Sequence, residues 1–373
     1  MRKITIFSLV MGYGGIEKYI SKLCFMLYKQ YDIEIICTYK EDNQPAFDFP
    51  KEVSIQYLVN KSPSNESIKL MLKQFRIISA LKIILKRIKL NISARRLNKK
   101  AIKNIDTDII ITTRNYHHSL VSKYINKKDI LLVATEHNFH QYNKKYIKNL
   151  VNSVKKFDYL VVPTKELHDY YKNKIGNCKC VRIPHPLDYI PKEKTDFKHK
   201  NIISVGRFSQ EKGILDLIDV FKLVHKKLPK TKLYLIGDGY QRERINEYVN
   251  DNGLSNYIVM PGFKSYEEQK AYYMNSSLFV MTSYTEAFGL VLIEAMSYGV
   301  PCIAFDSASG PRELINKEIG ILIHSRDKEK MADSIVSMIN NKELLKKYQN
   351  NLFNYINQFD INNIKKQYLK ILK

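Results

Sequence analysis

Two glutamates, Glu286 and Glu294, stand in the segment Thr285-Glu286-Ala-Phe288-Gly289-Leu290-Val-Leu-Ile-Glu294-Ala-Met-Ser-Tyr-Gly299-Val-Pro301. The glycine turn and the apolar run after it predict a strand-to-helix turn, with Glu286 just before the helix and Glu294 about two turns in. Eight helical steps leave a net rotation of roughly 80°, so both carboxylates look to one side while lying well apart along it. Carboxylates so placed can meet different parts of one elongated ligand. Glutamate pairs at this spacing arise by chance in most proteins, but not inside a glycine turn followed by Gly-Val-Pro.

A second constellation lies upstream, in Ile202-Ile-Ser-Val-Gly206-Arg207-Phe-Ser-Gln-Glu-Lys212-Gly213. Here a strand runs through a glycine into a helix, with Arg207 and Lys212 able to converge on one anion. A diphosphate held by two charge-assisted contacts, each contributing about 1.5–3 kcal/mol, and by a helix N-terminus is physically well matched. Taken alone, basic residues beside a strand end are as readily solvated surface charges. The first strand ends similarly, in Gly12-Tyr13-Gly14-Gly15-Ile16-Glu17, where exposed backbone N–H groups at a helix start suit an anion or simply make a tight turn. Glu17 stands where the dinucleotide fingerprint needs its third glycine, which disfavours a nicotinamide or flavin cofactor. Asp106-Thr-Asp108 precedes its strand and reads as a turn, so neither metal nor cofactor is expected.

These segments need strands that end together and helices that begin beside them. Short β-branched runs alternate with amphipathic helical lengths, the pattern of α/β parallel sheets. The expected strands are 4–9, 33–37, 53–58, 108–112, 130–134 and 159–162, then 201–205, 232–236, 257–260, 278–281 and 301–305. The proline-rich stretch from Ile183 through Pro184-His185-Pro186-Leu187-Asp188 interrupts regular structure, and each half opens with strand, glycine turn and helix. Two Rossmann-like domains, 1–187 and 188–350, follow, with 351–373 as a terminal helix crossing back to the first and the ligand cleft between the two.

The chain has 373 residues, and 61 Lys and Arg against 37 Asp and Glu give a net charge of +24. Anionic membrane, nucleic acid or a phosphorylated substrate would account for it, as would biased base composition in a chain rich in Lys, Ile and Asn. Residues 64–103 hold twelve Lys or Arg against Glu66 alone, interleaved with Ile68, Met71, Leu72, Phe75, Ile78, Leu81, Leu85 and Ile88. This is either a basic amphipathic helix on anionic lipid, at about 1 kcal/mol per basic residue, or a surface helix packing its apolar stripe on the first sheet. No run is long enough to span a bilayer, and the Met1 to Met11 segment reads as a buried strand rather than a signal peptide. Five scattered cysteines suit a reduced cytosolic protein.

With these pieces assembled, the sequence resembles the family-4 glycosyltransferases of the two-domain GT-B fold, two Rossmann-like domains whose parallel sheets face across a cleft. The resemblance spans nearly the whole chain: Gly-Gly-Ile-Glu17, Val-Gly206-Arg207 with Glu211-Lys212-Gly213, Ile236-Gly237-Asp238-Gly239, Pro261-Gly262-Phe263, and Glu286 to Pro301. It implies retaining, metal-independent transfer of a hexose-type sugar from a nucleoside-diphosphate sugar, UDP-linked, to a glycan or lipid-linked acceptor in cell-surface polysaccharide assembly. By the same resemblance Gly206, Arg207 and Lys212 meet the diphosphate, Glu294 the ribose and Glu286 the transferred sugar. The amides of Phe288, Gly289 and Leu290 meet sugar or phosphate, Gly262 and Phe263 the base, and Gly14 and Gly15 close over the phosphates. His137, in Val133-Ala-Thr-Glu136-His137-Asn138, is preferred over His117 and His118 for the acceptor side, against the alternative of a hydrogen-bonded structural histidine. The hinge departs from the family, with Pro184-His185-Pro186 where Asn-Gly is common. The implied setting is the cytoplasmic face of an anionic membrane, bound peripherally, with no nucleic-acid partner; a sugar-nucleotide epimerase of the same fold or a non-catalytic polyanion binder are the alternatives.

Overall fold

The computed structural model describes residues 1–41, 45–63, 77–127, 129–137 and 143–373. Residues 64–76 of the basic segment, and Asn138, lie outside them. The chain forms two compact units, one of residues 1–162, 168–183 and 365–373, the other of residues 163–167 and 184–364.

The first unit holds a seven-stranded parallel sheet of β1 (Lys3–Ser8), β2 (Asp32–Tyr39), β3 (Ser54–Val59), β4 (Ile109–Thr112), β5 (Leu131–Thr135), β6 (Tyr159–Val162) and β7 (Lys179–Arg182), in the order β3-β2-β1-β4-β5-β6-β7. The second holds six parallel strands, β8 (Ile202–Val205), β9 (Leu233–Ile236), β10 (Ile258–Gly262), β11 (Leu278–Met281), β12 (Cys302–Phe305) and β13 (Gly320–Ile323), in the order β10-β9-β8-β11-β12-β13. The inner strands are largely apolar because helices cover both faces, and the few polar side chains among them, such as Thr5, Thr112 and Thr135, are buried. In the second unit Ile202, Leu233, Leu278 and Ile303 pack against the helices Ile214–Lys227 and Lys328–Asn340, while Ile203, Ile236, Phe279 and Cys302 pack on the other side with Leu292 and Phe359. One edge strand of each sheet, β7 and β13, is absent from the expected set, whereas the other edges, β3 and β10, are in it: β7 and β13 have four residues each, and Lys179-Cys-Val-Arg is half-exposed, with no apolar run.

Three expectations change in detail. The terminal segment 351–373 divides, because Leu352, Ile356 and Phe359 are buried in the second unit's core and only residues from Lys365 join the first. There Arg2 donates to the Leu372 carbonyl (2.7 Å), and the hydroxyls of Tyr19 and Tyr368 bond to each other. The second change concerns the basic helix, Ile77–Lys103, which does not lay its apolar stripe on the sheet. Its inward side is Ala80, Ala94, Asn98 and Ile102, whereas Ile78, Leu81, Leu85, Ile88 and Ile92 are 47–72% exposed. The small inward residues let the helix approach β2, where Asn98 donates to Thr38 (3.2 Å). The third is the Glu286–Glu294 interval, treated below.

Candidate functional site

Both sheets reverse strand order once, between β1 and β4 and between β8 and β11. At such a switch point the loops leaving the carboxyl ends of neighbouring strands diverge and leave a crevice.

In the second unit the loop after β8 carries Gly206, Arg207 and Lys212, and the loop after β11 carries Glu286, Phe288 and Gly289. The two are stitched together: the Tyr284 N–H donates to the Glu211 carbonyl (2.8 Å), Thr282 Oγ1 donates to the Gly213 carbonyl (2.9 Å), and the Lys212 ammonium pairs with the Glu286 carboxylate. Lys212 lies over Gly206, its Cδ 3.9 Å from where a β-carbon would stand. Arg207 is exposed beside it. Burial would raise the Glu211 carboxyl, but a hydrogen bond with Ser209 and the charges of Lys212 and Arg207 outweigh this and hold it below its ordinary value. Both cations therefore act on one small region.

The helix carrying Glu294 begins only at Leu290, capped by Gly289 in the left-handed region (φ 89°) with no side chain bonded to the first-turn N–H groups. A side chain at Gly289 would be strained there. Glu286 thus stands on the loop and not on the helix. Glu294 lies little more than one turn in, so the 80° helical rotation expected between the carboxylates does not apply. Glu294 is buried, 2% exposed, and Glu286 is fixed at its carbonyl by the Gly310 N–H (2.9 Å). Phe288 is buried against His185 (ring centroids 5.0 Å), so the hinge proline stretch packs directly behind this turn. Gly262 closes β10, accepts from the Gly237 N–H (2.9 Å) and leaves Phe263 57% exposed. Gly237 is explained by a close backbone approach, since a β-carbon there would sit 2.0 Å from the Gly206 carbonyl oxygen.

A buttress unseen in the sequence supports the β11 loop. Arg326 donates to the Thr282 carbonyl (2.8 Å), the Ser283 carbonyl (3.2 Å) and Asp216 (2.6 Å), and stacks on Tyr284 with 3.7 Å to the ring centroid. Asp216 also accepts from Lys328 (2.7 Å) and the Tyr284 hydroxyl (2.6 Å). Burial alone would raise Asp216, but bonds from Lys328, Tyr284 and Arg326 hold it at about 2.

In the first unit Gly14 precedes the helix Gly15–Leu27 in extended conformation, and the Glu17 carboxylate lies over it. Glu17, with a side chain 4% exposed, accepts from Arg114 (2.6 Å) on the loop after β4. A carboxylate of the chain thus lies beside this helix start, held by its own cation. His137 is buried, bonded at Nε2 to Thr135 Oγ1 (2.7 Å) and against the Tyr19 ring (centroids 4.5 Å). Its neighbour Glu136 accepts from the Tyr146 hydroxyl (2.7 Å) and from the His137 N–H (2.9 Å). His117 and His118 are wholly buried on Thr38 and Thr112 (2.8 and 2.7 Å), and burial holds both rings neutral at about 3. They belong to the core. The Asp108 carboxylate accepts from the Lys3 N–H (2.7 Å), as a turn residue does. The structure thus brings Gly206, Arg207, Lys212, Glu286, Gly289 and Leu290 together and places His137 and Gly14 in the other unit.

Comparison with known proteins agrees with this architecture. Residues 13–189 match the model described as Glycosyltransferase Family 4, and residues 188–354 the model described as Glycosyl transferases group 1. An exopolysaccharide phosphotransferase of Streptomyces coelicolor is 27% identical over 90% of this chain, although the chain spans only 36% of that protein's length. A Campylobacter jejuni protein named as an N-acetylgalactosamine-N,N'-diacetylbacillosaminyl-diphospho-undecaprenol 4-alpha-N-acetylgalactosaminyltransferase is 25% identical and covered end to end, 100% of each chain. Among solved structures, a TarM variant of S. aureus in complex with fondaparinux, alpha-GlcNAc-glycerol and UDP superposes with a TM-score of 0.79 at 16% identity over 100% of both chains, a likeness of fold. Two matched domains, two Rossmann-like sheets and paired charges on the switch-point loops make the chain a glycosyltransferase of the GT-B class, a family 4 domain followed by a group 1 domain.

Proposed function

We propose that the chain is a retaining, metal-independent transferase that moves a hexose-type sugar from a UDP-sugar to a glycan or lipid-linked glycan in surface polysaccharide or glycolipid assembly. The observation that carries this reading is the stitched pair of loops at the β8/β11 switch point, where Lys212 and Glu286 meet beside Arg207. The diphosphate sits against Gly206, Arg207 and Lys212. Glu294 takes the ribose hydroxyls, Gly262 and the exposed Phe263 the base, and Glu286 the sugar. The uncapped first-turn amides of Gly289 and Leu290, with that of Phe288, add fixed dipoles facing the same charge. As the bond from the anomeric carbon to the diphosphate breaks, Arg207 and Lys212 stabilise the departing oxygen. The acceptor hydroxyl attacks on the same face and gives its proton to that oxygen, so nucleoside diphosphate leaves and configuration is retained. Glu286 positions the sugar, His137 orients sugar or acceptor, and Gly14 and Gly15 complete the phosphate contacts.

No helix among the described residues is long and apolar enough to cross a membrane. The basic helix supports a peripheral position on the cytoplasmic side of an anionic membrane. High salt should release the protein from anionic vesicles, and retention would count against that position.

The direct test is release of nucleoside diphosphate from a panel of nucleotide sugars, with and without chelator, in wild type, Glu294→Ala and Lys212→Ala. Release that survives chelation and falls in both variants is expected. Absence of both turnover and nucleotide-sugar binding would overturn the reading.

A further inference from the structure

His137 stands at one end of a chain of buried hydroxyls. Tyr19 lies on the buried side of the helix Gly15–Leu27 and Tyr368 on the terminal helix Ile361–Ile371; both belong to the first unit and are at most 2% exposed. Their hydroxyls bond to each other. The Tyr19 hydroxyl also bonds Thr135. Thr135 Oγ1 in turn lies 2.7 Å from His137 Nε2 and 3.3 Å from the Thr112 carbonyl oxygen. The Tyr19 ring packs on the imidazole as well, with 4.5 Å between centroids, so one residue touches His137 both through its ring and through its hydrogen bonds.

Such a chain has a direction. Each hydroxyl has one proton to give, and a buried proton left unshared is unfavourable. Burial raises both phenols well above their ordinary range, so each keeps its proton at neutral pH. Among the described residues the Tyr368 hydroxyl meets only that of Tyr19, so it donates there. Tyr19, accepting from Tyr368, donates to Thr135. Thr135 must then give its own proton either to His137 Nε2 or to the Thr112 carbonyl. The carbonyl, at 3.3 Å, is beyond the usual O–H···O separation, whereas the imidazole nitrogen at 2.7 Å is well within reach. Nε2 is therefore the acceptor, and the neutral ring carries its proton on Nδ1.

We infer that Tyr19 is a positioning residue for His137: acting through Thr135, it fixes the imidazole in the Nδ1–H form. The inference deepens the role proposed for His137 in orienting sugar or acceptor, and it rests on that role. A ring held in one tautomer presents the same donor at every turnover, where an untied ring would alternate between donor and acceptor at a given nitrogen. It also gives the terminal helix a part in the chemistry, since Tyr368 closes the far end of the chain.

The test is NMR of the full chain carrying ¹⁵N in its histidine rings, with His137 assigned by the signals that His137→Gln removes. Protonated and bare ring nitrogens resonate far apart, so the tautomer is read directly and without turnover. In the wild type, His137 should show a protonated Nδ1 and a bare Nε2. Tyr19→Phe and Thr135→Val remove the two hydroxyls that direct the proton. Each should give the signals of a tautomer mixture and lower kcat for transfer about tenfold, with KM for the nucleotide sugar little changed. Tyr368→Phe should keep the wild-type tautomer, because Tyr19 still donates to Thr135, and it controls for the loss of a buried hydroxyl as such. A wild-type ring with its proton on Nε2, or a Tyr19→Phe ring still fixed on Nδ1, overturns the inference whatever the activity. A tautomer that behaves as stated, in variants that with His137→Gln all transfer sugar at the wild-type rate, would uphold the hydroxyl chain and sink the role proposed for His137.

Discussion

The two switch points are built alike and charged in opposite order. In the second unit the loop after the central strand β8 brings the cation Lys212 and the loop after β11 brings the acid Glu286; in the first, the helix after β1 brings the acid Glu17 and the loop after β4 brings the cation Arg114. Exposure separates them. Lys212 and Glu286 are 25% and 17% exposed with Arg207 open beside them, whereas Glu17 is sealed at 4%. A partly open pair of this kind can exchange its internal partner for a ligand at little desolvation cost, while a sealed carboxylate must keep its cation. The same strand topology thus yields a ligand site in one place and a lock in the other.

Breaking each pair should separate the two roles. Lys212→Ala removes a preorganised charge from the leaving diphosphate, and turnover should fall on the order of 10²- to 10³-fold, as when one such donor is lost elsewhere. Its unfolding midpoint should hardly move. Glu17→Ala should do the reverse, leaving Arg114 part-buried and unpaired and lowering stability by about 2 kcal/mol, with turnover in the surviving folded protein changed far less. Denaturant melts beside steady-state rates check both. A Glu17→Ala protein of native stability would mean that its pair is no lock.

Arg326 tests whether the open site depends on support from outside it. Its guanidinium ties the carbonyls of Thr282 and Ser283 to Asp216, just ahead of Glu286. Arg326→Ala should loosen that loop and cost about tenfold in kcat, or ~1.4 kcal/mol of transition-state stabilisation. KM for the nucleotide sugar should change less, because Arg207 and Lys212 remain. Arg326→Lys should restore little, since one ammonium cannot reproduce the fork. A fall in KM-linked binding alone, with kcat intact, would assign the loop to ground-state binding.

What the sequence revealed follows from how local each signal is. The inner strands β1, β4, β8 and β11 declare themselves because burial on both faces demands nearly continuous apolar runs, broken only by small hydroxyls such as Thr5 and Ser204. Beside them, glycine and charge mark the loops, so Arg207, Lys212 and Glu286 could be singled out before their contacts were known. Edge strand β7, Lys179-Cys-Val-Arg, has no such run, and the apolar run of β13 is only Gly-Ile-Leu-Ile, four residues long. The Arg326–Asp216 bond joins residues 110 apart with no local pattern to announce it. The spacing puts Glu286 just before the helix and Glu294 about two turns in, but it cannot reveal that Gly289 turns left-handed and starts the helix late, which leaves Glu294 little more than one turn in. For the basic helix the type was legible and the direction was left open: a 3.6-residue stripe identifies an amphipathic helix but not which face meets the sheet, and here Ala80, Ala94 and Asn98 take that place.

The smallest effect tests the sealed character of the first unit through pH. His117 and His118 bond to Thr38 and Thr112 through one ring nitrogen each, and His117 Nδ1 and His118 Nε2 are buried without partners. Burial first, and for His117 also the charges of His118 and Arg114, hold both at about 3, whereas the unfolded chain titrates near the ordinary 6.5. A base depressed by folding takes up protons only in the unfolded state between these values. Stability must therefore decline as pH falls below about 6.5 and go on declining toward 3. Between pH 7 and pH 6 each histidine should contribute about 0.7 kcal/mol of that loss. His118→Asn should lower stability at pH 7, where the Thr112 bond is lost, yet flatten this slope by one histidine's share. Denaturant midpoints at the two pH values measure it, and an unaltered slope would mean that His118 takes up a proton within the folded unit.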